Sequence, residues 1–403
     1  MKVAVHYQDQ SVELEVSEGS LVGFWEGRAG SEGAACRDLI AEALESAIDY
    51  PALRRSVVPG DRVAIALGRD VPEAARVIAE IVSILGESGV SSDLVTIVGA
   101  PEISETSAKD LSKVATFRRH DPDDRETLAY LAATSGERRV YLGRELVEAD
   151  FVVTVGTVGF DHHLGYGGPW SALFPGLSDK ETRAAFQAKV LEETPDPAAP
   201  SILLTESLEV SWLLGSQFQV GVVPGTRGIE AVLCGLGASF QQRCLAETAR
   251  VWGFHPESRA ELVVAGVGCP GEEAGIEEVA RGLSAASRLV QRGGKIVLLS
   301  TAEGTLGWSV RRLIEAEASG KRGSPLRGLE TEPDYAIASM IASSTAWADV
   351  YILSRFDPDD LEGLGMIPLE KPREAVRLAS MSGSCLVFSH AERVGAKVIE
   401  ESE

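Results

Sequence analysis

Cysteine is scarce in this sequence. Its five cysteines are scattered and odd in number, and no two of them form a C-x-x-C pair: Cys36, Cys234, Cys244, Cys269 and Cys385. This usage is typical of reduced thiols rather than of a disulfide framework, and the absence of a C-x-x-C pair argues against a metal site built on cysteines. We therefore expect free thiols and a cytoplasmic protein.

Long apolar runs and basic residues are also few. No stretch approaches the roughly 20 apolar residues of a membrane helix, and the N-terminal MKVAVHYQDQSVELEV alternates like a strand pair and lacks the apolar segment of a signal peptide. Lys and Arg number 38 against 60 Asp and Glu, which gives a formal net charge of -22. Such a charge repels nucleic acid and anionic membranes. We expect neither as a partner, whereas a small-molecule site lined by a few arginines remains compatible.

Several nucleotide-binding motifs are missing. There is no G-x-x-x-x-G-K-[ST] segment, which counts against a nucleoside triphosphatase. Glycine-containing loops follow two predicted strands, near Gly99 and Gly266, but neither forms G-x-G-x-x-G ahead of a helix. A plain Rossmann dehydrogenase is therefore not favoured, and spacing alone yields no Ser-His-Asp set.

Apolar strands and amphipathic helices alternate along most of the chain. Val63–Leu67 reads as a buried strand, the helix after Pro72 and the strand in DLVTIVGAP complete a strand-helix-strand unit, and Asp150–Phe160 is a third strand. The same alternation resumes after about Trp252. This pattern predicts an α/β fold of two domains, 1–253 and 254–403, with mostly parallel sheets and an inter-domain cleft. Residues 191–200 read as a proline-rich surface loop, and 320–333 as a mobile loop.

Two loops leave the carboxyl ends of these strands, where open α/β sheets bind ligands. Arg69 lies in the first and could clamp a carboxylate or phosphate, or simply pair with Asp70. The second loop carries His162 and His163 among glycines; a ligand role and a structural role are about equally favoured for them. His120-Asp121 reads as a turn, and a solvated helix face is favoured for Glu278 and Arg281.

One long segment carries a family resemblance. VEADFVVTVGTVGFDHHLGYGGPWSALFPGLSDKET resembles the V-E-A-D, strand, P-H-x-x-x-G-[FY]-S-G-G-R-K and P-G run of the nickel-dependent lactate racemase family, and GRDVP is similar to its T-R-P-x-P loop. The chain looks like a divergent member. The resemblance implies two α/β domains that hold a nickel-pincer nucleotide and racemise or epimerise a 2-hydroxyacid, so an isomerase is favoured.

The resemblance also implies roles, and several key positions depart from the family pattern. The family's covalent lysine falls on Ser171 beside Trp170, its catalytic histidines fall on Asp161 and on Pro101 next to Glu102, and its nickel histidine falls on Gln187. Arg69 matches the arginine of T-R-P, and Arg281 stands near a second-domain lysine. Because serine cannot form the thioamide link, any pincer would be held non-covalently.

The resemblance implies four groups of site residues. The catalytic residues are Asp161, His162 and His163, and the substrate-binding residues are Arg69 and Arg281. The cofactor-binding residues are Gly68, Asp70, Gly165, Gly167, Gly168, Trp170 and Ser171, and the metal ligand is Gln187.

Three hypotheses stay open. The first is a racemase or epimerase with a non-covalent pincer. The second is other metal-assisted chemistry at Asp161, His162 and His163, and the third is a non-catalytic protein that binds a nucleotide or hydroxyacid. The substrate and the oligomeric state are not determined by the sequence.

Overall fold

The structure, a computed structural model, describes residues 1–17, 19–163, 165–189, 202–319 and 325–399. These residues divide into two compact units. The middle unit contains the described residues of Arg28–Phe186 and Pro195–Val251, and the terminal unit contains those of Met1–Gly27, Gln187–Thr194 and Trp252–Glu403. No helix in the described ranges is long and apolar enough to span a bilayer. All five cysteines are free and buried, as the sequence predicts.

The strands and helices follow one another in frequent alternation. The strands are β1 (Lys2–Tyr7), β2 (Gln10–Glu15), β3 (Leu21–Trp25), β4 (Val63–Leu67), β5 (Val95–Gly99), β6 (Thr116–Arg119), β7 (Leu128–Ala133), β8 (Arg139–Gly143), β9 (Phe151–Thr157), β10 (Gly159–Asp161), β11 (Gly165–Gly167), β12 (Phe218–Pro224), β13 (Ile229–Gly235), β14 (Gly253–Phe254), β15 (Ala260–Gly266), β16 (Val290–Leu299), β17 (Asp349–Leu353), β18 (Met366–Pro368), β19 (Cys385–Phe388) and β20 (Gly395–Ala396). The helices are α1 (Gly33–Glu45), α2 (Ala74–Glu87), α3 (Glu105–Leu111), α4 (Arg144–Val147), α5 (Pro169–Leu173), α6 (Lys180–Gln187), α7 (Ile202–Leu214), α8 (Gly237–Trp252), α9 (Ile276–Leu289), α10 (Trp308–Ser319), α11 (Tyr335–Trp347), α12 (Pro358–Gly363) and α13 (Pro372–Ser380).

The middle unit is built on a six-stranded sheet in the order β13-β12-β9-β4-β5-β6. All neighbouring strands are parallel except β13, which runs antiparallel to β12. Every residue of the central strand β4 is buried, because helices cover both faces of a parallel sheet. The carboxyl ends of β4, β5, β6, β9 and β12 therefore share one edge.

The two faces of this sheet differ in side-chain size. Ile65 and Leu67 of β4 pack with α1 and α2 in one core cluster, whereas Ala64 and Ala66 point to the opposite face and pack with α4, α5 and α7. The small residues let α5 approach the sheet closely. A Cβ at Gly156 of β9 would lie 2.7 Å from the carbonyl oxygen of Gly168, just before α5. Glycine at 156 is thus required by packing.

The terminal unit has its own parallel sheet, in the order β18-β17-β16-β15-β19-β3. The hairpin β1-β2 covers part of one face, where Val5 and Leu14 pack with Leu262 and Ala379. Helix α9 packs on β15 and β16. The alternating pattern of the first 16 residues therefore does form the predicted strand pair.

The predicted α/β fold with largely parallel sheets is confirmed, and β4 has the predicted bounds. The predicted division into 1–253 and 254–403 differs from the structure at the N-terminus. Residues 1–27 belong to the terminal unit because β3 pairs with β19. These two strands are far apart in the sequence, so their pairing leaves no local signal in it. The predicted loop 191–200 and part of the predicted loop 320–333 lie outside the described residues.

Candidate functional site

The candidate site of the middle unit is the carboxyl edge of its sheet. Loops leave this edge after β4, β5, β6 and β9, and they carry Arg69 and Asp70, Glu102, His120, and Asp161 with His162 and His163. In parallel α/β sheets this edge is where ligands bind. Each loop is described in turn below.

The loop after β4 presents an ion pair. Arg69 Nε lies 3.3 Å from Asp70 Oδ2, and the two side chains are 37% and 69% exposed. Asp70 has a φ of 57°, and its carbonyl oxygen accepts a 2.8 Å hydrogen bond from Thr157 Oγ1 at the end of β9. The predicted pairing of Arg69 with Asp70 is therefore present, and the guanidinium stays accessible to solvent.

Gly68 is explained by packing. A Cβ at this position would lie 2.8 Å from Cβ of Ala172 in α5, closer than real Cβ contacts. The sequence-based role for Gly68, cofactor binding, is therefore not needed to account for the glycine. Gly168 is similar, because a Cβ there would lie 2.6 Å from the indole ring of Trp170.

The position that matches the family's lysine has a structural task here. The Gly168 N–H donates to Ser171 Oγ at 2.9 Å, and Ser171 Oγ donates back to the Gly168 carbonyl oxygen at 2.9 Å. Ser171 thereby closes the first turn of α5, where backbone N–H groups would otherwise need partners. The hydroxyl is engaged in holding the chain.

Trp170 does not offer a ring face to a ligand. Its side chain is fully buried and meets Phe240 edge to face, with ring centroids 6.4 Å apart. The predicted stacking of this indole on a cofactor ring needs an accessible ring face, which the buried side chain does not offer. Within the described residues, the indole Nε1 is buried without a hydrogen-bond partner.

The loop after β9 holds the Asp-His-His segment. Asp161 pairs with Gly165 across the β10-β11 hairpin, and Gly165 adopts a φ of +89°, which favours glycine. Asp161 Oδ1 accepts a 2.7 Å hydrogen bond from the backbone N–H of His163. The aspartate therefore fixes the backbone of this loop.

The two histidines have different surroundings. His162 is only 1% exposed, and its ring lies edge to face against Phe160 with centroids 4.8 Å apart. His163 is half-buried, and its Nε2 lies 3.0 Å from the Phe186 carbonyl oxygen in α6. Because a carbonyl oxygen can only accept, Nε2 carries the proton, and in the neutral ring Nδ1 carries the lone pair. His163 is thus an oriented imidazole.

The site predicted from the sequence did not include His120. This residue follows β6, is 5% exposed, and its Nε2–H donates to the Ser178 carbonyl oxygen at 2.8 Å. Burial lowers the pKa of His120 below its ordinary value. Asp121 does lie in a turn, because its Oδ1 accepts a hydrogen bond from the Asp123 N–H. The position of His120 directly after a strand was the sequence signal from which a buried imidazole could have been predicted.

Glu102 and Arg183 form a second ion pair at this edge. Arg183 also donates to the Gly176 carbonyl oxygen, so it ties the loop after β5 to the segment before α6. Asp179 caps α6, since the Thr182 N–H donates to Asp179 Oδ1 at 2.9 Å. The neighbouring Ser178 Oγ donates to the Pro175 carbonyl oxygen.

Gln187 is the last residue of α6 and directly follows Phe186, the partner of His163. The other predicted residues lie in the terminal unit. There, Arg281 pairs with Glu277 at 2.5 Å, and Glu278 accepts the Gly275 N–H at 2.8 Å. Glu278 is half-buried, and this burial raises the pKa of its carboxyl.

Metal-binding groupings are limited among the described residues. Within them, a single group of three or more His, Cys, Asp and Glu side chains brings its ligand atoms together, namely Cys269, His390 and Glu392 in the terminal unit. Asp161, His162 and His163 do not form such a group.

Comparisons with known proteins point in one direction. Residues 7–196 match the model of the lactate racemase N-terminal domain. The fold is similar to the lactate racemase apoprotein from Thermoanaerobacterium thermosaccharolyticum, with a TM-score of 0.77 and 17% identity over 99% of this chain and 100% of the other. It is also similar to a protein from Thermotoga maritima, with a TM-score of 0.62 and 12% identity over 90% and 97% of the two chains. No curated protein matches the sequence.

Proposed function

We propose that the chain is a divergent member of the lactate racemase family, whose N-terminal domain model matches residues 7–196, and that it is an isomerase that racemises or epimerises a small 2-hydroxyacid. The substrate binds at the carboxyl edge of the middle sheet. One observation carries the proposal: His163 is held in a defined orientation, with its Nε2–H donated to the Phe186 carbonyl oxygen at 3.0 Å. An oriented imidazole at a ligand-binding edge is suited to proton transfer.

Arg69 supplies the binding group for the substrate carboxylate. Its ion pair with Asp70 is solvent-exposed, and exposed pairs contribute only about 0–1 kcal/mol. A substrate carboxylate that makes two parallel hydrogen bonds to the guanidinium can therefore replace Asp70. The T-R-P match of Arg69 supports the same role.

His163 supplies the proton-transfer group. With the proton on Nε2, Nδ1 is the nitrogen that would accept the hydroxyl proton of a 2-hydroxyacid, and this atom is buried. Loss of the hydroxyl proton leaves the C–H bond intact, so inversion also needs an acceptor for the α-hydrogen, which these residues do not supply and a bound cofactor would have to. Stereoinversion requires a second group on the opposite face of the reacting carbon. His162, the other imidazole of this loop, is 1% exposed with both ring nitrogens buried, Glu102 is engaged by Arg183 and Asp161 by the His163 backbone, so the second group is left unassigned.

The family's nickel-pincer nucleotide does not fit these residues in its covalent, histidine-ligated form. Ser171 cannot form the thioamide, and its hydroxyl is engaged with Gly168. Trp170 is buried, and Gln187 offers a hard amide oxygen where nickel beside sulfur donors prefers imidazole. Any pincer is therefore held without a covalent bond, and no step of the proposed reaction is routed through it.

The test is a stereochemical assay of the full chain. Protein produced with and without the pincer-synthesis enzymes is incubated with single enantiomers of a panel of 2-hydroxyacids, and products are separated by chiral chromatography. We expect one acid to be interconverted, and Arg69→Ala to reduce kcat/KM at least 100-fold. Arg37→Ala is the matched control, because Arg37 is an exposed, ion-paired arginine of the same unit, far along the chain in α1; it should retain wild-type turnover.

The outcomes separate the alternatives. A native mass above the mass of the chain, which falls to the mass of the chain on denaturation, supports a non-covalent cofactor. Calorimetric binding of a hydroxyacid without interconversion would replace the isomerase by a non-catalytic binding protein, which the loss of the lysine and of the nickel histidine favours. Unchanged turnover in Arg69→Ala would remove that residue from the site.

A further inference from the structure

A second group of chemically reactive side chains lies in the terminal unit. Cys269 follows β15, and His390 and Glu392 follow the neighbouring strand β19. These residues lie at the carboxyl edge of the terminal sheet, and the proposed isomerase uses none of them. The three are 1%, 3% and 6% exposed, respectively.

The ligand atoms of this group, here called the Cys-His-Glu cluster, lie close together. Cys269 Sγ is 3.6 Å from His390 Nδ1 and 3.6 Å from Glu392 Oε1, and all three residues offer atoms within 4.8 Å of one another. In tetrahedral zinc sites, Zn–S of about 2.3 Å and Zn–N or Zn–O of about 2.0–2.2 Å place the sulfur about 3.6 Å from the other ligand atoms. Both sulfur distances in the cluster agree with that geometry.

The backbone around the cluster is arranged to hold it. The Gly268 N–H donates to Glu392 Oε2 at 2.9 Å, which leaves Oε1 directed toward the sulfur. His390 adopts a φ of 55°, a conformation that non-glycine residues rarely adopt and that clusters at functional sites. Outer-shell hydrogen bonds of this kind orient the ligands of metal centres.

Charge balance favours a divalent cation. A thiolate, a neutral imidazole and a carboxylate together carry two negative charges; the neighbouring Arg393 is already ion-paired with Glu272, and buried charge is costly unless it is paired. Without a cation, the thiol donates its proton to Glu392 Oε1 and the imidazole Nδ1–H donates to the Gly268 carbonyl oxygen at 3.0 Å. Binding through Nδ1 would transfer the imidazole proton to Nε2 and release the thiol proton to solvent.

We propose that Cys269, His390 and Glu392 bind one zinc-class divalent cation, with water in the fourth position. The mixture of thiolate, imidazole and carboxylate excludes Mg²⁺ and Ca²⁺, which take oxygen ligands, and suits Zn²⁺, a borderline-soft ion. Three protein ligands and one open position are the arrangement of catalytic rather than closed structural zinc sites.

The test uses metal-stripped full chain and two probes, Zn²⁺ and Co²⁺. We expect one equivalent of either ion per chain, thiolate-to-cobalt charge-transfer absorption, and release of at least one proton per ion bound. Cys269→Ala should remove the charge-transfer band and weaken Zn²⁺ binding at least 100-fold. Cys385→Ala is the matched control, because it deletes another buried thiol of the same sheet that lies outside the cluster; it should bind as wild type does.

Glu392→Gln is a second variant that distinguishes loss of a metal ligand from misfolding. The amide oxygen can still accept the Gly268 N–H, so circular dichroism should be unchanged while Zn²⁺ affinity falls at least tenfold. Failure of wild type to show thiolate–cobalt absorption, or its persistence in Cys269→Ala, would overturn the proposal and leave the cluster as a hydrogen-bonded network. Neither result depends on hydroxyacid turnover, so the cluster and the isomerase stand or fall separately.

Discussion

Ser171 and Gly168 exchange two hydrogen bonds, with the Gly168 N–H and carbonyl oxygen each 2.9 Å from Ser171 Oγ. This relationship lies at the position where the lactate racemase pattern has its covalent lysine. The hydroxyl satisfies backbone groups at the start of α5, and α5 in turn packs on β9. Ser171 therefore acts as part of the scaffold of this segment.

Removing this hydroxyl should weaken the middle unit. Ser171→Ala should lower the free energy of unfolding by about 1 kcal/mol, because the first turn of a helix loses a partner. Ser171→Asp keeps an acceptor for the Gly168 N–H and should recover most of the loss. Urea unfolding followed by circular dichroism measures both, and equal stability of Ser171→Ala and wild type would contradict the assignment.

Two glycines provide a matched pair of stability tests. Gly68→Ala should destabilise the protein by about 1–3 kcal/mol, because the new Cβ would lie 2.8 Å from Ala172 Cβ. Gly86→Ala, in α2 with no atom within 4 Å of the new Cβ, should stabilise it by about 0.5–1 kcal/mol. Thermal melting of both variants tests the packing explanation, which fails if Gly68→Ala melts at or above the wild-type temperature.

Asp161 is predicted to position the loop rather than to transfer protons. Asp161→Asn keeps an oxygen acceptor for the His163 N–H and should retain turnover within about threefold. Asp161→Ala removes that acceptor and should lower kcat more than tenfold with restoration by Asn. The kcat of each variant on the identified hydroxyacid decides the matter, and a large loss in Asp161→Asn would instead make the carboxylate a proton-transfer group.

His120 should make stability depend on pH. Burial lowers its pKa in the folded protein below 6.5, so below pH 6.5 the unfolded chain binds more protons and the free energy of unfolding falls as pH decreases. His120→Gln can still donate to the Ser178 carbonyl oxygen and cannot titrate. We expect a smaller loss between pH 7 and pH 5 in this variant, measured by urea unfolding in chelator-treated buffer; an identical slope would exclude His120 as the source.

Much of the fold followed from pattern. The bounds of β4 and the hairpin β1-β2 were predictable because apolar periodicity is a local property of the chain. Membership of β3 in the terminal sheet was not, because it depends on pairing with β19, more than 350 residues away.

The sequence by itself determined the strand and helix alternation, the free thiols, the family resemblance and the loss of the covalent lysine, since each depends on residue types or on short-range order. Only the tertiary structure decided what the chemically reactive side chains can do. It buried Trp170, engaged Ser171, oriented His163 against Phe186, and brought Cys269 to within 3.6 Å of His390 across 121 positions. The absence of a C-x-x-C pair argued against a cysteine metal site. A parallel sheet, however, brings residues together from the ends of strands that are far apart in sequence, and no short motif records such a group.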